Sequence, residues 1–179
     1  MEESNSAECR TDLRYMNYYQ KLYGEAYIDL CEQALKRMKQ AHGRNPQTYR
    51  GSIVGISAPG MTPISGKLID GYDIPGSGKA IMEHATRYYA LNVAPYNVNV
   101  NTVVPGYTRS DAWNKVVELQ GGKGTTEEFL QTAARASVPL GTFLEATDVG
   151  DWIVFLATSS GGRFMTGQSL VIDGGMHLK

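Results

Sequence analysis

Residues 98–106 read "VNVNTVVPG". Valines and a threonine dominate the run, β-branched residues that suit a pleated, buried strand, and Pro105-Gly106 stops it. "SIVGIS" (52–57) has the same character, short, apolar and β-branched, and "SLVIDGG" (169–175) supplies a third strand. Helical patterns fill the intervals. From about Asp12 to Gln40, Tyr27, Cys31, Ala34 and Met38 recur at i, i+4, i+7 and i+11, with Leu30 and Leu35 widening the stripe. The turn-rich "HGRNPQTYRG" ends that helix, and residues 58–71, punctuated by Gly and Pro, form a loop. A second long helix is expected over about 74–92, with Asp73 as N-cap and Pro75 tolerated in the first turn. Two short helices, 111–120 and 126–136, flank "GGKG", read as a flexible hinge; Thr125 and Glu128 have capping-box spacing. A helix over 147–158 leads into the third strand. Buried strands alternating with helices long enough to cross over imply a parallel sheet with right-handed connections. The fold class is therefore α/β: a Rossmann-like parallel sheet of about three strands flanked by helices, in one domain over 1–179. Residues 1–12 are expected to be flexible, and 111–140 to form a lid-like helical segment.

Composition narrows the function. An apolar fraction of 42% and a charged fraction of 20% are ordinary for a soluble globular chain. A net charge of −1 argues against nucleic-acid binding, which calls for clustered positive excess. The basic residues Lys36, Arg37 and Lys39 read as offsetting a helix dipole. Cys9 and Cys31, with no secretory leader, make no disulfide framework, and no run is long enough to span a membrane. His42, His84 and His177 have no metal-ligand spacing with the cysteines. A cytoplasmic, metal-free protein is expected.

In open parallel sheets, ligands collect beyond the C-terminal strand ends. The first strand ends in Ser57 and a loop carrying Thr62 and Ser65, and Tyr72 and Lys79 open the helix that follows. The second strand ends in Pro105, Gly106, Tyr107, Thr108, Arg109 and Ser110, with Trp113 at the start of the lid. All converge on one rim. For Lys79 a plain alternative stands: an i,i+4 pair with Glu83 on a solvated face. At such a rim, however, a lysine near Tyr72 lowers the phenol's pKa and suits it to proton transfer near neutral pH. Seven residues at about 100° each fall roughly 20° short of two turns, so both side chains point the same way. Arg109 beside the Pro-Gly turn meets either a phosphate or a surface carboxylate.

"GSIVGIS", "GKAIMEHATRYYALNVAPYNVNVNTVVPGYTRSDA" and "ATDVGDWIVFLATSSGGRFMTGQSLVIDGG" together resemble the C-terminal half of a short-chain dehydrogenase/reductase. The resemblance runs from about residue 20 onward and implies a Rossmann sheet. The family's usual pair is Tyr-x-x-x-Lys, and Pro75 stands at its tyrosine position. Tyr72-x6-Lys79 instead resembles the enoyl-thioester reductase branch. There the tyrosine steadies a developing enolate oxygen and the lysine holds the nicotinamide ribose. By the same resemblance Lys79, Pro105, Gly106, Thr108 and Ser110 face NAD(P)H, and Ser57, Thr62, Ser65 and Trp113 lie on the substrate side. Several positions depart from the family. Ala58 replaces the second serine of its strand-end pair, no extra tyrosine lies within 58–71, and Tyr23 stands where many members have asparagine. The Gly-rich strand-to-helix turn that holds the pyrophosphate is not in this sequence.

Three readings follow. In the first, the chain is an NAD(P)-dependent oxidoreductase reducing an activated C=C or C=O of a carbonyl or thioester substrate. Its site is completed by another chain or by atypical cofactor binding. In the second, Tyr72 and Lys79 serve a cofactor-free isomerase, cyclase or dehydratase. In the third, the chain is a non-catalytic partner subunit of a full-length relative. A homo-oligomer or hetero-complex is expected to cover the edge of the 52–57 strand, which otherwise exposes unpaired backbone. Asp173, Gly174 and Gly175 resemble a terminal strand and turn that pack at a subunit contact.

Overall fold

The structure, a computed structural model, describes residues 12–61, 68, 72–119 and 124–179. Thr62, Ser65, most of the 58–71 loop, the first eleven residues and most of the "GGKG" hinge lie outside that description. Three strands, β1 (Gly51–Ile56), β2 (Val98–Pro105) and β3 (Ser169–Ile172), form a parallel sheet in the order β1-β2-β3. Register runs from Gly51 opposite Val98 to Ile56 opposite Val103, and from Thr102 opposite Ser169 to Pro105 opposite Ile172. All three strands therefore end at one rim.

Helices cover both faces of β2, which is why the strand is almost continuously buried. Val98 and Val100 pack with Tyr27, Cys31 and Leu35 of α2 (Ala26–Arg44) and with Met82, Ala85, Tyr89 and Val93 of α3 (Asp73–Val93). On the opposite face Val103 packs against Val149 and Leu156 of α6 (Ala146–Thr158). Each such fully buried aliphatic contributes about 1.5–3 kcal/mol. The two asparagines of "VNVNT" are buried because they tie down the segment leading to β3. Asn99 Nδ2 donates to Gly162 O at 3.0 Å, and Asn101 Nδ2 to Met165 O at 2.7 Å.

The first helix departs from expectation. It comprises α1 (Leu13–Tyr19), a π-helical turn (Gln20–Glu25) and α2. Leu30, assigned to the apolar stripe, is 64% exposed while Leu35 is buried: the buried face of α2 is centred on Tyr27, Cys31 and Leu35, and Leu30 lies about 100° round the helix from Cys31. The helix also runs on to Arg44, which leaves Lys36, Arg37 and Lys39 short of its last turn. The N-cap of α3 is Tyr72 rather than Asp73, and Gly76 N–H closes the first turn onto Tyr72 O at 2.9 Å. Pro75 falls among first-turn positions whose N–H has no intrahelical acceptor, so its missing donor is tolerated.

The paired short helices are α4 (Ala112–Leu119) and α5 (Thr126–Ser137), the latter opened by the Thr125/Glu128 capping box. A second capping box, Glu145 with Asp148, opens α6. Sequence reading missed it because glutamate is an uncommon N-cap.

Candidate functional site

Gly51 and Ser57 send their N–H groups to β2, onto Asn97 O and Val103 O. By strand alternation Ser52, Val54 and Ile56 turn their backbone polar groups to the other edge of β1, which pairs with no strand among the described residues. Lys79, in the second turn of α3, reaches that edge and its Nζ donates to Ile56 O. The same ammonium lies over the Tyr23 ring, 4.4 Å from its centroid. Burial pulls the Lys79 amine below the ordinary lysine range. Lys79 is thus a fixed, half-buried cation at the rim. Its expected alternative partner is turned elsewhere: Glu83 is 1% exposed and accepts from Ser57 Oγ at 2.5 Å and Ser169 Oγ at 2.9 Å. Thr102 Oγ1 donates in turn to Ser169 Oγ at 3.1 Å, so one buried carboxylate ties α3 to all three strands.

Tyr72 stands at the head of the same helix, half-buried. The expectation that lysine depresses its phenol is not met. Burial pushes the Tyr72 phenol up, and the neighbouring Tyr23 and Tyr19 phenols add to the rise. The physical reason is that the Lys79 charge is directed at the Tyr23 ring and the Ile56 carbonyl. Tyr72 therefore stays protonated well past neutral pH, a donor rather than a base.

Two glycines explain how the first helix comes so close. A Cβ on Gly78 would overlap the Tyr19 carbonyl oxygen and lie 2.9 Å from its carbon and 3.1 Å from Tyr23 Cβ. A Cβ on Gly24 would sit 2.9 Å from Ile81 Cγ2. Tyr19 and Tyr23 stack at 5.8 Å with planes 22° apart. Tyr19, Tyr23 and Glu83 were not assigned to the site by sequence reading, which took Tyr23 only as a departure from the family and Glu83 only as an alternative partner of Lys79. The i,i+4 spacing of the tyrosines was visible, but no residue announces a π-helical turn.

The other predicted positions divide. Ser57 donates to Glu83, so its hydroxyl cannot donate to a substrate while that bond holds. Thr108 Oγ1 donates to Gly106 O at 3.0 Å, also inward. Pro105 ends β2, and Gly106 is pressed on β3's end, where its Cβ would meet Asp173 Cα at 2.8 Å. Ser110 is exposed at the rim. Trp113 Nε1 donates to Thr108 O at 2.8 Å, its ring between Tyr107 and Phe129, each at 5.7 Å. Arg109 takes the carboxylate option, bridging Glu127 and Glu145 at 3.0 Å each. A cavity of about 80 Å³ by Tyr107, Phe143 and Asp173 lies at this rim but is lined by neither Tyr72 nor Lys79. Among the described residues no His/Cys/Asp/Glu group is arranged for a metal, and no helix is long and apolar enough to cross a membrane.

A profile of the enoyl-(acyl carrier protein) reductase family matches residues 12–177. The chain belongs to this family of short-chain dehydrogenases/reductases. This short-chain reductase homologue is 31% identical over 151 residues to carbonyl reductase family member 4 of Xenopus laevis, covering 84% of the chain and 52% of the relative. It is 34% identical over 128 residues to 1-cyclohexenylcarbonyl-CoA reductase of Streptomyces collinus, covering 72% of the chain and 42% of the relative. The reductase homologue thus spans about half the length of the curated relatives it matches. In fold it is similar to L-sorbose reductase from Gluconobacter frateurii, solved with NADPH and L-sorbose. That match has a TM-score of 0.81 and 21% identity, over 100% of this chain and 64% of the other.

Proposed function

We propose that the chain carries the nicotinamide-side half of an NAD(P)H-dependent reductase site for a carbonyl, or for a C=C bond conjugated to a thioester carbonyl. The observation that carries the reading is the Lys79 ammonium seated at the C-terminal end of β1, with Tyr72 heading the same helix. Two relatives named as reductases, one of carbonyls and one of an unsaturated CoA thioester, support that substrate class.

The residues present suit the nicotinamide ribose. An ammonium has three donors, one of which goes to Ile56 O, leaving N–H groups for hydroxyl acceptors at the free edge of β1. Ser110, exposed after the Pro105-Gly106 turn, is the polar group that would serve the carboxamide or phosphates. No Gly-rich strand-to-helix turn in this sequence serves the adenosine side, which another chain or segment supplies. When bound, NAD(P)H supplies a hydride. Lys79 fixes the ribose and adds positive charge to the site. Tyr72, kept protonated by its surroundings, donates to the oxygen on which negative charge develops.

A second reading, a partner subunit of a longer relative, is favoured by the inward-tied hydroxyls of Ser57 and Thr108 and by β1's unpaired edge among the described residues. In that reading a strand of another chain, a second copy or a full-length relative, completes the sheet. Loss of reduced-nicotinamide absorbance with 3-oxoacyl and enoyl thioesters separates the two. The reductase reading expects turnover, falling at least about 100-fold in Lys79→Ala and Tyr72→Phe. No turnover, by the chain alone or with its co-purified partners, would overturn it and leave the subunit reading.

A further inference from the structure

Lys79 carries its charge where burial works against it. Among the described residues the elements around it carry Arg14, Tyr15, Tyr18 and Tyr19 on α1, Lys21, Tyr23 and Glu25 on the π-helical turn, and Tyr72, Asp73, Glu83 and His84 before and along α3; of these, Tyr23 contacts the ammonium. From β1 it receives only the Ile56 carbonyl. Glu83 is bonded to Ser57 and Ser169. What lies against the ammonium is the face of Tyr23, 4.4 Å from Nζ to ring centroid, within the range where a ring quadrupole attracts a cation.

Three features hold that ring in place. The π-helical turn rotates Tyr23 toward α3, in keeping with the frequent association of such turns with functional sites. Gly24 and Gly78 remove the Cβ atoms that would keep the two helices apart. Tyr19 stacks on the ring at 5.8 Å. Burial, then Tyr19 and Tyr18, push the Tyr23 phenol up, so it stays neutral and is no counter-ion. The ring face is its contribution.

We propose that Tyr23 is a positioning residue whose ring face seats the Lys79 ammonium at the end of β1 and keeps that amine protonated. Its functional weight rests on Lys79 being the working cation of the reductase site. Without the ring, the amine would be half-buried with one carbonyl partner and free to turn away from the strand end. The seat thus couples the first helix to a residue on the third.

The test keeps shape constant and changes the ring's electrostatics. Position 23 is filled with phenylalanine, then with mono-, tri- and pentafluorophenylalanine. The pH midpoint of Lys79 acetylation by acetic anhydride is read by mass spectrometry, with circular dichroism confirming the fold. Tyr23→Phe should keep the midpoint. Fluorination should lower it stepwise, raising the amine's acid dissociation constant by about fivefold at the pentafluoro ring. A midpoint unchanged or raised across the series overturns the proposal. So does a Tyr23→Phe shift as large as that of Tyr23→Leu, which would assign the effect to the hydroxyl. If the pentafluoro protein does not fold, the phenylalanine and trifluoro pair decides. Should the midpoint move as expected while Lys79→Ala leaves NADPH binding intact, the seat stands and the reductase reading falls.

Discussion

Replacing Gly78 with alanine places a methyl group against the backbone of the first helix. The new Cβ would overlap the Tyr19 carbonyl oxygen and stand 2.9 Å from its carbon. An ordinary carbon–carbon contact needs about 3.5 Å, so the chain at Tyr19 must retreat by about 0.6 Å or more. Backbone cannot step aside as a side-chain tip can, which sets the cost at the upper end of overpacking, about 3 kcal/mol. Alanine's better helix propensity returns about 1 kcal/mol, leaving Gly78→Ala destabilised by about 2 kcal/mol. Gly150, inside α6 with nothing within 4 Å of its Cβ position, is the matched control and should gain up to about 1 kcal/mol as alanine. Urea denaturation measures both, and opposite signs are expected. A Gly78→Ala protein as stable as the parent would refute the close approach of α1 to α3, and with it the placement of Tyr23 on Lys79.

Further predictions follow from the same contacts. Glu83→Ala removes the acceptor of the buried Ser57 hydroxyl and the half-buried Ser169 hydroxyl and leaves a cavity, so a loss of about 3 kcal/mol or more is expected by urea denaturation. Alkali should destabilise the fold. Tyr23, Tyr27, Tyr49, Tyr72 and Tyr89 are raised above 10.0, and Cys31 from 9.0 to about 11, mainly by burial. The unfolded chain sheds these protons first, so their stabilisation is complete below about pH 9 and declines as pH climbs through the unfolded and then the folded values. Lys79, lowered from 10.5, acts in the opposite direction over the interval below that value, one group against six. The urea midpoint should therefore be lower at pH 10.5 than at pH 8. Arg109→Ala should leave the urea midpoint nearly unchanged in the same assay, because both of its ion pairs are exposed.

Much of this architecture could be read from residue type. Valine-rich runs closed by Pro105-Gly106 or Asp173-Gly174 marked the strands, because β-branching and turn chemistry act locally. Thr125 and Glu128 marked the start of α5 for the same reason. The candidate site was legible only in outline. Tyr72 and Lys79 were found, yet the direction of the Tyr72 shift was not, because it depends on which group the ammonium faces. That in turn depends on a π-helical turn more than fifty residues away, and "QKLYGE" carries no signal for one. Leu30 went astray because the stripe was drawn too wide: it lies about 100° from Cys31 on the same helix. Ser57 looked like a substrate donor until the fold brought a buried carboxylate, Glu83, beneath it.

The central claim, that Lys79 is the cation of a nicotinamide-side site, is tested most directly by NADPH fluorescence titration of the parent chain and Lys79→Ala, each with any co-purified partner retained. The account predicts saturable binding by the parent, weakened at least about tenfold by the substitution, the worth of a charged hydrogen bond. Equal affinities for the two proteins, or no saturable binding by the parent, would contradict it.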